Sequence, residues 1–348
     1  MKIGEISVPE LYCPFPPAMN PEAEAAQDHT LAWARAHGLV RDEAAYERLR
    51  RSRFGFLAAR AYPGATLSRL SIASDWNTWL FVMDDECDES GIGRRPKRLG
   101  ILHRRLSGLL TGDGISRLRG RPGRIDVPLL HALCDLRDRM RALMPRAWMA
   151  RFVQSAVEYF ESSEWEAENR ERGVWPDAAT YIRMRPYTGG LYTDIELIEL
   201  TERIDLPIVV RNHPALERLA LFTNNVVCWS NDIFSLQKER AHHDMHNLVL
   251  ILRHHEGITE QAAVDRVARL IKGQVQRFIA LEARLPQFGP SIDGAVRRFV
   301  AVLRAWMRGN LDWSCETGRY RHAEVQTPSS ATARDEGAFM PPVLAASD

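Results

Sequence analysis

The stretch DWNTWLFVMDDECDE, residues 75–89, decides the reading of the fold. An apolar, aromatic helical segment closes on a run of carboxylates. On a helix, Asp84 and Asp88 share a face at i and i+4, and Asp85 reaches it through Asp88 at i and i+3. Like charges held so close repel each other. Their proximity makes physical sense when a hard dication neutralises them, and magnesium takes oxygen ligands, water and phosphate. The bland alternative is a solvated acidic helix end, because short acidic runs are common.

The helical pattern extends outward in both directions. Apolar residues recur at three and four, as in AEAAQDHTLAWARAHG, and glycine or proline punctuates the segments. The pattern predicts helices over 21–37, 42–53, 65–88, 96–110, 128–142, 146–170, 177–185, 190–199, 209–239, 246–254, 258–283 and 291–314. No segment alternates with period two, so strands are absent or marginal. The expected class is all-α. Residues 1–20 read as an extended, proline-rich N-terminal segment and 21–323 as one helical domain. Residues 111–126 read as a glycine-rich basic loop, and 324–348 as a disordered tail.

Composition narrows the function classes. The chain has 348 residues, 45% hydrophobic and 26% charged, with a formal net charge of +1. It is long enough for a sizeable core and carries no field that points to nucleic acid. Cys13, Cys87, Cys134, Cys228 and Cys315 are odd in number and form no CxxC pair, which suits a reducing cytoplasm. No apolar run is long enough to span a membrane. Lysines are rare, at Lys2, Lys97, Lys238 and Lys272, which makes the place of Lys238 notable.

Lys238 sits in a second motif, Asn231-Asp232-Ile233-Phe234-Ser235-Leu236-Gln237-Lys238-Glu239. Asn231, Ser235 and Glu239, at i, i+4 and i+8, span about 80° of a helix circumference. An amide oxygen, a hydroxyl and a carboxylate on one stripe form an oxygen set for a further dication. Lys238 stands beside them for a phosphate. Alone, the stripe is equally an ordinary polar face. His242, His243 and His246 follow and read as loop residues rather than a zinc site, since no further ligand has suitable spacing.

Together the two motifs closely resemble DDxxD and NDxxSxxxE of the microbial class I terpene synthases, in the same order. Arg185-Pro186-Tyr187-Thr188-Gly189 looks like that family's diphosphate-sensing arginine, linker and effector, with Arg185, Thr188 and Gly189 in those roles. Arg319-Tyr320 resembles its C-terminal pair, which closes over the diphosphate. The resemblance runs from about Pro14 to Tyr320. It implies a helical bundle around a central cavity. Asp84, Asp85, Asp88, Asn231, Ser235 and Glu239 would hold Mg2+, three ions per site, and Arg185, Lys238, Arg319 and Tyr320 would meet the diphosphate. It implies ionisation of a linear isoprenyl diphosphate, most simply farnesyl diphosphate, and cyclisation of the cation. Homodimers are common in such a family.

Independent chemistry agrees. Arginine suits bidentate phosphate recognition, and preorganised cations stabilise charge where the C–O bond breaks. A carbocation needs a dry cavity, and aromatic faces stabilise it by roughly 0.5–2 kcal/mol each. Candidates are Phe56, Trp76, Phe81, Trp306 and Trp313, with core packing as the competing role for each. Three other readings remain open at this level. One is a C20 cyclase acting on geranylgeranyl diphosphate. Another is a chain-elongating prenyltransferase, which the Asn-Ser-Glu form of the second motif disfavours. The last is a non-catalytic helical scaffold. The Arg185–Gly189 segment is expected to end a helix near Arg185, because a residue before proline avoids the helical region.

Overall fold

The computed structural model describes residues 2–3, 6–112 and 126–320. The tail 324–348, nearly all of the loop 111–126 and the side chain of Asp88 lie outside the described residues. The chain opens with a two-stranded antiparallel hairpin, Lys2–Ile3 and Ile6–Ser7. Among the described residues every regular element after it is helical. The helices are α1 Ala23–Ala36, α2 Glu43–Ser52, α3 Phe54–Ala61, α4 Leu67–Glu89, α5 Pro96–Thr111, α6 Asp126–Leu143, α7 Arg146–Arg172 and α8 Ala178–Thr188. They continue as α9 Leu191–Glu202, α10 Ile208–Arg211, α11 Pro214–Phe234, α12 Leu236–Ala241, α13 Leu248–Glu256, α14 Glu260–Glu282 and α15 Pro290–Glu316.

Local chemistry sets many boundaries. Asp42, Asp177, Asn247 and Thr259 cap their helices by accepting from the backbone amides of Ala45, Thr180, Val249 and Ala262. Proline occupies the first turn of α5, α11 and α15, where its missing amide costs nothing. α11 packs between α14 and α15, α15 lies on α3, and α4 lies on α1 and α3. Trp76, Trp79, Trp148, Trp229, Trp306 and Trp313 are fully buried, so the bundle is filled by its largest side chains. No helix among the described residues is long and apolar enough to cross a membrane.

Four local features differ from the sequence expectation. α3 is a separate helix, set off by Arg53 in the left-handed region at φ 54°. The expected helix 209–239 breaks at Ser235, whose hydroxyl donates to the Asn231 carbonyl at 2.7 Å and competes with the helical ladder. The N-terminal segment is not merely draped over the surface: Val8, Cys13, Phe15 and Asn20 are buried, and Asn20 donates to the carbonyls of Tyr62 and Ala65. α8 runs through Pro186 and ends at Thr188 rather than near Arg185. The Gly189 amide still reaches the Arg185 carbonyl at 3.0 Å, and the chain turns only at Gly190, φ 69°.

Candidate active site

A central cavity opens between α4, α7, the α8–α9 corner, α11, α12 and α15, with about 170 Å³ open to the centres of water molecules. Asp84 lines it from α4, and Asn231 and Glu239 line it from α11 and α12. The two acidic and polar motifs therefore face one space. Ser235 Oγ lies 2.7 Å from Glu239 Oε1, so two oxygens of the second motif already touch. Burial, with Asp232 and Asp244 nearby, pushes the Glu239 carboxyl up. A dication would remove that penalty, and the all-oxygen donor set suits magnesium. Among the described residues no cluster of three or more His, Cys, Asp or Glu is close enough to hold a metal alone. Of the second motif's expected ligands only Glu239 is of these types, and the Asp88 side chain is not described.

The cations expected at the diphosphate are engaged with the motifs themselves. Arg319 grips Asp85 with both guanidinium arms, at 2.7 and 2.8 Å. Lys238 donates to the same carboxylate at 2.9 Å. Burial would raise the Asp85 carboxyl, but the charges of Arg319 and Lys238 outweigh it and hold it well below the usual carboxylate range. Asn231 Nδ2 donates to the Tyr320 hydroxyl at 2.7 Å. Arg319 and Tyr320 thus fasten α15 across the mouth, one to each motif.

Arg185 is deeper. Its Nε donates to Asp232 Oδ1 at 2.9 Å and its Nη2 to Asn231 Oδ1 at 2.9 Å. Asp232 is fully buried and also accepts from the Tyr181 hydroxyl and the Leu248 amide. Arg185 is therefore coupled directly to the second motif, and its own helix end carries Thr188 and Gly189 on the cavity wall. The Thr188 hydroxyl is buried without a partner. Gly189 has an ordinary φ of −76°, so glycine is not needed there for its backbone freedom. It is needed for space: a Cβ would stand 2.3 Å from Cys228 Sγ. Cys228 in turn donates to Asn224 Oδ1, and Asn224 Nδ2 donates to the Pro186 carbonyl at 2.9 Å. That bond satisfies a carbonyl which the helix end orphans.

The aromatic candidates divide. Phe81, Trp306 and Trp313 line the cavity. Phe56 and Trp76 do not: Phe56 lies under the Arg53 guanidinium, and Trp76 stacks on Trp79 and donates to Thr193. Residues that no motif signalled also line it. They include Tyr159, Asn77, Asp194, and the group Arg170, Asp244 and His246. His246 lies in the loop between α12 and α13, as expected, and is buried there, with Nδ1 against Asp244 at 3.1 Å. Arg170 pairs with the same Asp244 at 2.8 Å. Helical periodicity marks a buried face but not which buried residue meets a cavity, and it says nothing of loop residues such as Asp244 and His246.

Known proteins resemble the chain in sequence and in fold. A family model described as terpene synthase family 2, C-terminal metal binding, matches residues 75–277. The chain is 39% identical to the (+)-T-muurolol synthase ((2E,6E)-farnesyl diphosphate cyclizing) of Roseiflexus castenholzii, over 89% of this chain and 93% of that one. It is 34% identical to the germacrene A synthase of Nostoc punctiforme, over 92% of this chain and 98% of that one. Wild-type cucumene synthase superposes with a TM-score of 0.75 at 28% identity, covering 88% of this chain and 99% of that one.

Proposed function

This chain belongs to terpene synthase family 2, and from that premise we propose that it ionises farnesyl diphosphate with magnesium and closes the cation into a cyclic C15 terpene. The observation that carries the reading is the single cavity with Asp84 and Asn231 at its mouth and Phe81, Trp306 and Trp313 on its walls. Farnesyl diphosphate is favoured over its C20 homologue because the relative from Roseiflexus castenholzii is named for cyclising it.

Asp84, Asp85 and Asp88 on one side, and Asn231, Ser235 and Glu239 on the other, are the proposed metal ligands. Magnesium bound there, in three ions, supplies Lewis-acid neutralisation of the diphosphate as it leaves. The chain's own residues do the rest. Lys238 and Arg319 exchange the Asp85 carboxylate for diphosphate oxygens, and Tyr320 moves with Arg319. Arg185 senses the same charge through Asn231 and Asp232, and transmits it along the helix end to Thr188 and Gly189, whose carbonyl faces the developing allylic cation. The aromatic walls stabilise the cation and keep water out.

The test is incubation of the purified chain with farnesyl or geranylgeranyl diphosphate, with and without magnesium. Released diphosphate and volatile product are both measured. Cyclic C15 hydrocarbon or alcohol, formed only with magnesium, is the expected result. Turnover of the C20 substrate alone refutes the assigned chain length, and no diphosphate release from either refutes the activity.

A further inference from the structure

Five Asp or Glu side chains are buried among the described residues: Asp75, Asp194, Glu196, Glu199 and Asp232. Four of them have an arginine. Asp75 pairs with Arg139, Glu196 with Arg151 and Arg211, Glu199 with Arg151, and Asp232 with Arg185. Asp194 has no cation. Its Oδ1 accepts from Asn77 Nδ2 at 3.1 Å and from the Tyr62 hydroxyl at 3.4 Å, while that hydroxyl lies closer, at 2.7 Å, to the Asp194 carbonyl. Its Oδ2 takes no hydrogen bond, and the residue, only 3% exposed, lines the cavity together with Asn77.

An isolated carboxylate in such a place is costly, whereas a neutral acid is tolerated. Burial pushes the Asp194 carboxyl up to about 8, against the pull of Asn77 and Tyr62. At neutral pH the group is therefore mainly a carboxylic acid on the cavity wall. The strut beside it is rigid: Trp76 donates to the Thr193 hydroxyl at 2.8 Å, and that hydroxyl donates to the Gly190 carbonyl at 2.6 Å. This ties the start of α9 to α4 and fixes Asp194 opposite Asn77.

We propose that Asp194 is a catalytic proton donor and acceptor inside the cavity, acting on a neutral cyclic olefin formed part-way through the cascade. The inference rests on the farnesyl diphosphate reading above. The released diphosphate takes a proton from the first-formed cyclic cation, whose C–H pair becomes the olefin's double bond, and the Asp194 O–H bond then breaks. A π pair of the olefin forms the new C–H bond at its less substituted carbon, leaving a tertiary cation and an Asp194 carboxylate. Asn77 and Tyr62, both donating to the other oxygen, stabilise that carboxylate while it lasts. After the next ring closure the carboxylate removes a proton from the carbon beside the final cation. That C–H pair becomes the product's double bond and the O–H bond is restored. No co-reactant is consumed.

The experiment is turnover of farnesyl diphosphate in D2O, followed by mass analysis of the product. Wild-type product is expected to carry a single deuterium. Asp194→Asn is expected to keep releasing diphosphate but to yield a less cyclised, unlabelled hydrocarbon. Asp194→Ser takes its place if the amide does not fold, as judged by thermal melting. Unlabelled wild-type product overturns the proposal, and so does labelled, fully cyclised product from the acid-free variant. Failure of the wild type to release diphosphate instead overturns the underlying reading of function, and this inference with it.

Discussion

Replacing Gly189 with alanine tests the α8–α11 contact at its tightest point. The added methyl carbon would stand 2.3 Å from Cys228 Sγ and 3.3 Å from the Arg185 carbonyl. To restore an ordinary contact the sulfur must retreat by about 1.1 Å. Rotating the thiol away breaks its bond to Asn224, which is the residue that holds the Pro186 carbonyl. Keeping the thiol in place pushes the end of α8 off the cavity wall. Overpacking of this kind costs about 1–3 kcal/mol. The cost falls on the segment proposed to aim its carbonyl at the cation, so turnover should drop by at least about tenfold, roughly 1.4 kcal/mol of barrier. Valine should be worse. The decisive assay is a double-mutant cycle with Cys228→Ala, reading denaturant midpoint and diphosphate release. Removing the sulfur should return a large part of both losses, with a coupling of about 0.5–3 kcal/mol. Additivity within about 0.5 kcal/mol, or wild-type behaviour of Gly189→Ala itself, would refute the reasoning.

Four further outcomes follow from the same geometry. Asp84→Ala and Asn231→Ala should each remove most turnover, and Asp84→Ala should leave the melting temperature unchanged, because its side chain is 54% exposed; wild-type rates from either would remove the metal assignment. Arg185→Lys keeps the charge but loses the second of two donors, to Asp232 and Asn231, and should cost about 1.5–3 kcal/mol in urea unfolding as well as turnover; a stable, fully active variant would make the segment a plain turn. Trp306→Ala should shift the product profile towards earlier deprotonation or water capture more than it shifts KM, read by gas chromatography. His103 is buried with Nε2 unpartnered, and burial lowers it to about 3; the unfolded chain then binds a proton first as pH falls below about 6.5, so stability should fall by up to about 2 kcal/mol between pH 7 and 5, and His103→Phe should flatten the dependence.

α4 was legible as an element because its apolar, aromatic run recurs at helical spacing, while its proposed role rests on the pairing with the second motif, since short acidic runs alone are common. The second motif was legible for its spacing. What spacing does not carry is partner choice. Lys238 and Arg319 were expected at phosphate and are found on Asp85, a carboxylate of the first motif. α3 was invisible because its boundary is an arginine in the left-handed region, with no glycine to signal it. Asp194 was invisible for a different reason. α9 carries Asp194, Glu196 and Glu199 all buried, so the usual equation of charge with the outer face fails along the whole helix.

The corner between α2 and α3 reaches the cavity mouth by an indirect route. Trp313 and Thr317 both donate to the Ser52 carbonyl, and the Gly318 amide donates to the Arg51 carbonyl. Arg319 and Tyr320 follow at once, so their aim is set by carbonyls far earlier in the chain. Docking of α15 on that corner is what brings Arg319 to Asp85 and Tyr320 to Asn231. A change at the α2–α3 corner can therefore misalign the contacts to both metal motifs without altering a residue of either.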